Sequence, residues 1–191
     1  RREWYRVHPK AWCLVGNGLS NQTFVEGPDG IIAIDTGESR EEMREALRHL
    51  RQDTDRPIVA VVYTHFHYVD GTEEAFADAG GPVPVYGHER IVANRHRIAD
   101  EIGPAYSRGL VEQFGISLPT DGPDALVNVG LGWAFRNPEH APFTRGFVPP
   151  DHSFAAATTL QVAGLQMSVT PAPSDADDSV TLWFPELSLC V

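Results

Sequence analysis

The chain has 191 residues, 42% hydrophobic and 21% charged, the balance of one folded globular domain. Its formal net charge of −11 leaves no basic footprint for nucleic acid or an anionic membrane surface, and no apolar run reaches the ~18 residues that a membrane span needs. Two cysteines, Cys13 and Cys190, cannot build a disulfide framework or a cysteine zinc site; both read as small buried hydrophobes.

Taken in chain order, RREWYRVHPK carries no apolar signal-peptide core, and the compartment stays open. AWCLVGNGLSNQTFVEGPDGIIAIDTG (11–37) alternates short apolar runs with Gly-Asn-Gly and Gly-Pro-Asp-Gly turn signals and is predicted to be β-structure. SREEMREALRHLRQ (39–52) is predicted to be a helix. Ser39 is its N-cap, Glu41 and Glu42 lie in its first turn, and Arg48 and Arg51 lie in its last. Met43, Ala46, Leu47 and Leu50 form its single apolar face, suited to covering a sheet.

Residues 58–63, IVAVVY, are β-branched and continuously apolar, the mark of a strand buried on both faces. Thr72 is expected to cap a short helix running to Ala79 and closed by Gly80-Gly81. VPVY (83–86) reads as a strand and GHERIVANRHRIADEI (87–102) as a second amphipathic helix. Residues 103–150 read as an irregular, Gly- and Pro-rich excursion of functional or covering character. TLQVAGLQMSVTPAP predicts a hairpin turning at Ala163-Gly164, and SVTLWFPELSLCV two strands broken at Pro185. Neither an internal repeat nor a low-complexity tract is visible. This order predicts a sheet sandwich with helices outside. The closing LSLCV is strand-like with no polar tail, so part of the protein is expected to lie outside the chain.

The chemistry concentrates after IVAVVY. His65 and His67 stand two positions apart where the strand ends, a spacing that sends both imidazoles to one side. Asp70 follows in the next turn. Two imidazoles and a carboxylate converging from one strand exit meet the needs of a metal site. The acidic SDADDS (174–179) offers further oxygen donors or forms a solvated turn. Nothing converges on His88, His96, His140 or His152, which read as surface or structural residues.

AIDTG (33–37), the helix after it and VVYTHFH resemble the metallo-β-lactamase superfamily, whose signature is Thr-His-x-His-x-Asp-His at a strand end. LSNQTFVEGPDGIIAIDTG, RPIVAVVYTHFH, SLPTDG…NVGLG and TPAPSDADDSVTLWFPELSLCV follow in order the landmarks of its alkylsulfatase branch, the linear and secondary alkyl sulfate hydrolases. The resemblance implies an α/β fold, an αββα sandwich incomplete at its C-terminal side, with residues 1–191 as the N-terminal portion of a catalytic domain. It implies metal ligation by His65 and His67. The signature's Asp and second-metal His fall on Val69, which cannot ligate, and Asp70, which can. The family's bridging glutamate falls on Asp175, one methylene shorter, with Asp177 and Asp178 near enough to replace it. Asp35 matches an aspartate that orients the His loop. Tyr68 is a pocket wall or a packing residue. YSRGL places Arg108 near the substrate channel, as an anion partner or a surface ion pair.

The leading expectation is therefore a hydrolase holding Zn2+, one or two ions, at His65, His67, Asp70 and Asp175. Activated water would attack a small-molecule sulfate ester or a related ester, with Asp70 or Asp175 orienting the water and taking its proton. Loss of the Asp-His element favours a single ion or an altered second site. The missing C-terminal portion and a homodimer are the expected partners. Two competing readings stay open. A non-catalytic binding or assembly module of the same fold predicts no turnover and weak metal binding. One inert half of a cleaved protein predicts activity only when both halves are present.

Overall fold

The computed structural model describes residues 2–119, 121–126, 128, 129 and 136–191. The landmark Asn128–Gly132 of the sequence reading therefore lies largely outside the described residues. Strands β1 (Glu3–His8), β2 (Ala11–Val15), β3 (Gln22–Glu26) and β4 (Ile31–Ile34) form an antiparallel meander. β5 (Ile58–Val62), β6 (Val85–His88) and β7 (His152–Phe154) extend it in parallel, giving seven strands in chain order. Helix α1 (Arg40–Leu50) crosses from β4 to β5 and α2 (Thr72–Ala79) from β5 to β6. Between β6 and β7 come α3 (Ile91–His96), a π-helical segment Arg97–Glu101 and α4 (Gly103–Phe114). A second, antiparallel sheet holds β8 (Thr158–Val162), β9 (Leu165–Pro171), β10 (Val180–Phe184) and β11 (Leu189–Cys190), in the order β11-β10-β9-β8.

The central strands are apolar throughout because both faces are covered. From β4, Ile31 and Ala33 join Met43, Ala46, Leu47 and Leu50 of α1 in one core, while Ile32 and Ile34 join Met167, Val169, Leu182 and Phe184 in the other. β5 divides likewise, with Ile58 and Val61 toward the helices and Ala60 and Val62 toward the second sheet. The result is the expected layered α/β sandwich. On the smaller sheet's outer side Thr159, Gln161, Thr170 and Trp183 are exposed.

Local chemistry sets the element ends. Ser39 Oγ accepts from Glu42 N–H (3.2 Å), and the Glu42 carboxylate accepts from Glu38 N–H (2.9 Å), so α1 starts on a reciprocal cap. Ala163 and Gly164 both have positive φ (54° and 77°), the backbone of a two-residue hairpin turn that suits the sheet twist.

Several expectations are corrected. Residues 103–114 are helical: Tyr106, Leu110 and Phe114 repeat at i, i+4, i+8 and form the covered side of α4. Pro104 sits in its first turn, where a missing N–H costs nothing. The second predicted helix starts later, because the strand runs on through His88, and it widens into a π-helix after His96. Gly71, not Thr72, occupies the cap of α2; the Thr72 hydroxyl is engaged with Val69 O, Thr36 and Tyr63. Strands β1 and β7 carried no legible signal, one being a largely exposed edge and the other three residues long. No helix among the described residues is long and apolar enough to cross a membrane.

Gly71 sits where β4's exit, α1 and the His loop meet. A Cβ there would lie 2.1 Å from Thr36 O and 2.5 Å from Met43 Cβ, and the first obstacle is backbone. Gly71→Ala is expected to destabilise the fold by about 3 kcal/mol, the upper range for overpacking. Urea unfolding at unchanged m-value measures it.

Candidate metal centre

The site is assembled where β4 and β5 end side by side. Asp35, the first residue past β4, adopts a left-handed conformation (φ 53°). Its carboxylate accepts from Thr64 N–H (2.9 Å) and from the Thr64 hydroxyl (2.6 Å). The loop is stitched further by Thr36 N–H to Tyr68 O (2.8 Å) and Asp70 N–H to Gly37 O (3.0 Å). From the second sheet, Val180 N–H donates to Thr64 O (2.9 Å) and brings residues 174–179 against the loop. Tyr63, fully buried, anchors the loop from below through its hydroxyl to Thr72 Oγ1 (2.6 Å) and Val148 O (2.9 Å).

On this frame His65, His67 and Asp175 each offer a donor atom, all within 4.8 Å of one another. The two rings stand 5.2 Å apart at 80° to each other, and His67 Nδ1 lies 3.5 Å from Asp175 Oδ2. Proton bookkeeping assigns the His65 tautomer. The one hydroxyl hydrogen of Thr64 goes to Asp35, so the 2.9 Å contact between Thr64 Oγ1 and His65 Nδ1 requires Nδ1–H as donor. His65 Nε2 then carries the lone pair. Burial, and next the neighbouring His65, push the His67 imidazolium below its ordinary range, so His67 is neutral at pH 7. Two imidazole lone pairs and a carboxylate make a divalent-metal donor set.

The other sequence-singled residues disperse. Asp70 lies outside the three-residue cluster, its Oδ1 taken by Arg95 Nη2 at 2.8 Å. Val69 is fully buried in the helix-side core, paired by a bridge to Gly37. Tyr68 flanks His65 with ring centres 5.2 Å apart. Burial, followed by the nearby charge of Glu38 and Asp175, pushes its hydroxyl up to about 12. Arg108 is exposed on α4, outside the cluster. Asp177 is exposed and held by Arg90 (2.9 Å) and Asn94 (2.8 Å). His140 is buried with Nε2 against Asn17, a structural role.

Three residues at the site escaped the sequence reading. Arg95 pairs Asp70, lies over the Phe147 ring (4.3 Å) and reaches Phe66 O (3.4 Å). Tyr106, on the undetected α4, faces the acidic charge of Glu38 and Asp175, as Tyr68 does. Glu38, beside the reciprocal cap, is the third. Glu38 left a signal, an acid directly after the Asp-Thr-Gly stretch, and Tyr106 opens the YSRGL stretch in which only Arg108 was singled out.

The family model described as the metallo-beta-lactamase superfamily matches residues 15–68, a stretch that ends on the His pair. A linear primary-alkylsulfatase from Pseudomonas sp. (strain ATCC 19151) is 30% identical over 85% of the chain, and an (R)-specific secondary-alkylsulfatase from Pseudomonas sp. is 32% identical over 66%. The chain thus resembles the metallo-β-lactamase superfamily over residues 15–68 and shares its fold. It is similar to the alkylsulfatases of that superfamily: the stereoselective inverting sec-alkylsulfatase Pisa1 from Pseudomonas sp. superposes with a TM-score of 0.83 at 26% identity over 97% of the chain. A metallo-beta-lactamase from Pontibacter korlensis shares the fold, with a TM-score of 0.57 at 20% identity and 68% of that chain covered. The chain spans 30% of the length of the first of these relatives, 20% of the second and 30% of Pisa1.

The charge around the centre suits a cation of the kind this superfamily's name announces. Arg95 and Arg90 are committed to Asp70 and Asp177. Asp35 and Asp178, both buried, and the exposed Asp175 are left around the two imidazoles. Burial pushes the Asp35 carboxyl up to about 6, against the pull of His65 and the bonds from Thr64.

Glu38 provides a check on this electrostatic picture. Burial, then the charge of Glu42, pushes its carboxyl up to about 7, and Oε2 has no partner. A carboxyl raised on folding costs stability once it ionises: the cost is absent below its ordinary range and complete above about pH 7. Glu38→Gln is therefore expected to raise the thermal midpoint at pH 8, by roughly 2–3 kcal/mol of stability at most, and to leave it unchanged near pH 4.5. Calorimetry of both proteins at the two pH values reads the difference.

Proposed function

We propose that the protein is a metal-dependent hydrolase of sulfate esters or closely related esters, with zinc at His65, His67 and Asp175. The convergence of those three donors at a strand exit carries the reading, and the similarity to alkylsulfatases supports the substrate class. A divalent ion in this seat supplies Lewis acidity and lowers the pKa of water toward ~7. The net reaction consumes one water and converts the ester into an alcohol and hydrogen sulfate.

The chain's own residues have separable tasks. Thr64 and Asp35 hold His65 in one tautomer, with Nε2 as donor. Asp175 is exposed, so its carboxylate meets solvent water and accepts its proton. Asp70 and Phe66 O hold Arg95 beside the His loop, where its guanidinium is the cation proposed to meet the anionic head group. Tyr68 and Tyr106 wall the approach, and Arg108 on the same helix as Tyr106 adds a cation at its outer end. With Val69 unable to ligate and Asp70 held by Arg95, one ion is proposed rather than two.

The same two observations favour a second reading, a binding or assembly module that kept the fold. Metal analysis of the full-length protein, with assays on alkyl sulfates, other esters and lactones, separates the two. The hydrolase reading expects about one zinc per chain, lost together with at least ~100-fold of kcat/KM in His65→Ala and His67→Ala. Asp70→Asn is expected to keep its zinc. Full turnover by metal-free protein, or by the double histidine variant, would falsify the mechanism; folded protein with no turnover across the panel and no bound metal points to the module.

A further inference from the structure

Asp178 is an anomaly that the proposed site does not use. Its side chain is fully buried, and neither carboxylate oxygen has a hydrogen bond of ordinary geometry, the nearest donors being the Asn94 amide and its own backbone N–H. Isolated buried carboxylates are costly, and folded proteins pair them with a cation or with donors. The cationic side chains nearby are paired with other carboxylates, and the Asn94 amide is shared with Asp177. The Asn94 amide donates to Asp177 Oδ1 (2.8 Å), Arg90 to Asp177 Oδ2 (2.9 Å), Arg95 to Asp70 (2.8 Å) and Thr64 to Asp35. The backbone leaves Asp178 little choice of place. Ser179 N–H closes a turn on Ala176 O (3.3 Å), Ala172 N–H bonds Ser179 O (2.8 Å), and Val180 N–H bonds Thr64 O. Asp178 is thereby locked against the His loop, on the side of His65 and Asp35.

We infer that Asp178 is a positioning and charge-balancing residue for the cation at His65, His67 and Asp175: a buried negative charge, acting through His65, that the ion neutralises. The inference rests on the metal reading above. Two buried carboxylates flank His65. Asp35 is satisfied by two hydrogen bonds from Thr64, whereas among the described residues Arg90 and Arg95 are paired with other carboxylates, which leaves the centre at the imidazoles to balance Asp178. In a low-dielectric interior such a charge raises cation affinity without touching the ion. Metal-free protein carries the full cost of the unpaired group, so the residue should oppose stability in one state and favour it in the other.

That opposition gives a test with two signs. Asp178→Asn preserves shape and removes the charge. In full-length protein, zinc affinity is measured by competition with a chelating dye, and thermal midpoints are taken with and without zinc. The expected result is a 10- to 100-fold weaker zinc affinity, together with a midpoint above wild type for metal-free variant and a smaller zinc-induced rise. Asp178→Glu, which restores the charge, is expected to recover part of the affinity. A variant that binds zinc as tightly as wild type overturns the inference and leaves the metal reading standing, as does one destabilised equally with and without zinc. Wild type that binds no zinc overturns both.

Discussion

The bond pair from Thr64 to Asp35 organises the centre. It joins the ends of two neighbouring parallel strands, and it consumes the only hydrogen the Thr64 hydroxyl has. Everything downstream follows from that expenditure. His65 has to donate from Nδ1, its Nε2 is left as the outward-facing donor atom, and the ring cannot rotate without breaking the contact. The loop then continues along the β4 exit through Thr36 and Gly37, which carries His67 to the same side. The left-handed backbone of Asp35 is part of the arrangement, and aspartate tolerates that conformation better than most residues.

Charge sorting is the second constraint. The molecule carries a net charge of −11, and around the centre its arginines are spent in particular places. Arg95 neutralises Asp70, and Arg90 neutralises Asp177. Asp175 and Asp178, from the same short segment, are left to the imidazoles; one is exposed at their edge and the other buried behind. Sequence neighbours thus acquire opposite roles. Position on the turn, not residue type, separates the ion-paired surface Asp177 from its buried neighbour Asp178.

The elements that were legible are those whose signal is local. α1 has its cap, its dipole-matched charges and its apolar face within one stretch, and β5 has an apolar run too short for a helix and too uniform for an exposed strand. The His65–His67 spacing told of a shared direction because a strand exit has period two. α4 was obscured because Pro104 and Gly109 read as breakers, although the proline sits where a helix accepts it and the glycine lies on an exposed side. Asp70 looked like the third ligand because it lies closest in sequence. Its partner Arg95, 25 residues on, was invisible until α3 folded back over the loop.

By itself the sequence determined the layered α/β class, the strand that ends on two histidines and the acidic segment able to meet them. Those follow from periodicity, burial and donor chemistry, which are properties of short stretches. Tertiary structure decided which carboxylates meet the imidazoles. Asp175 arrives through the pairing of Val180 with Thr64, Asp70 is withdrawn by Arg95, and Asp178 is buried without a partner. Such choices depend on contacts between segments 25 to more than 100 residues apart, and electrostatic energies fall off with distance in space rather than along the chain.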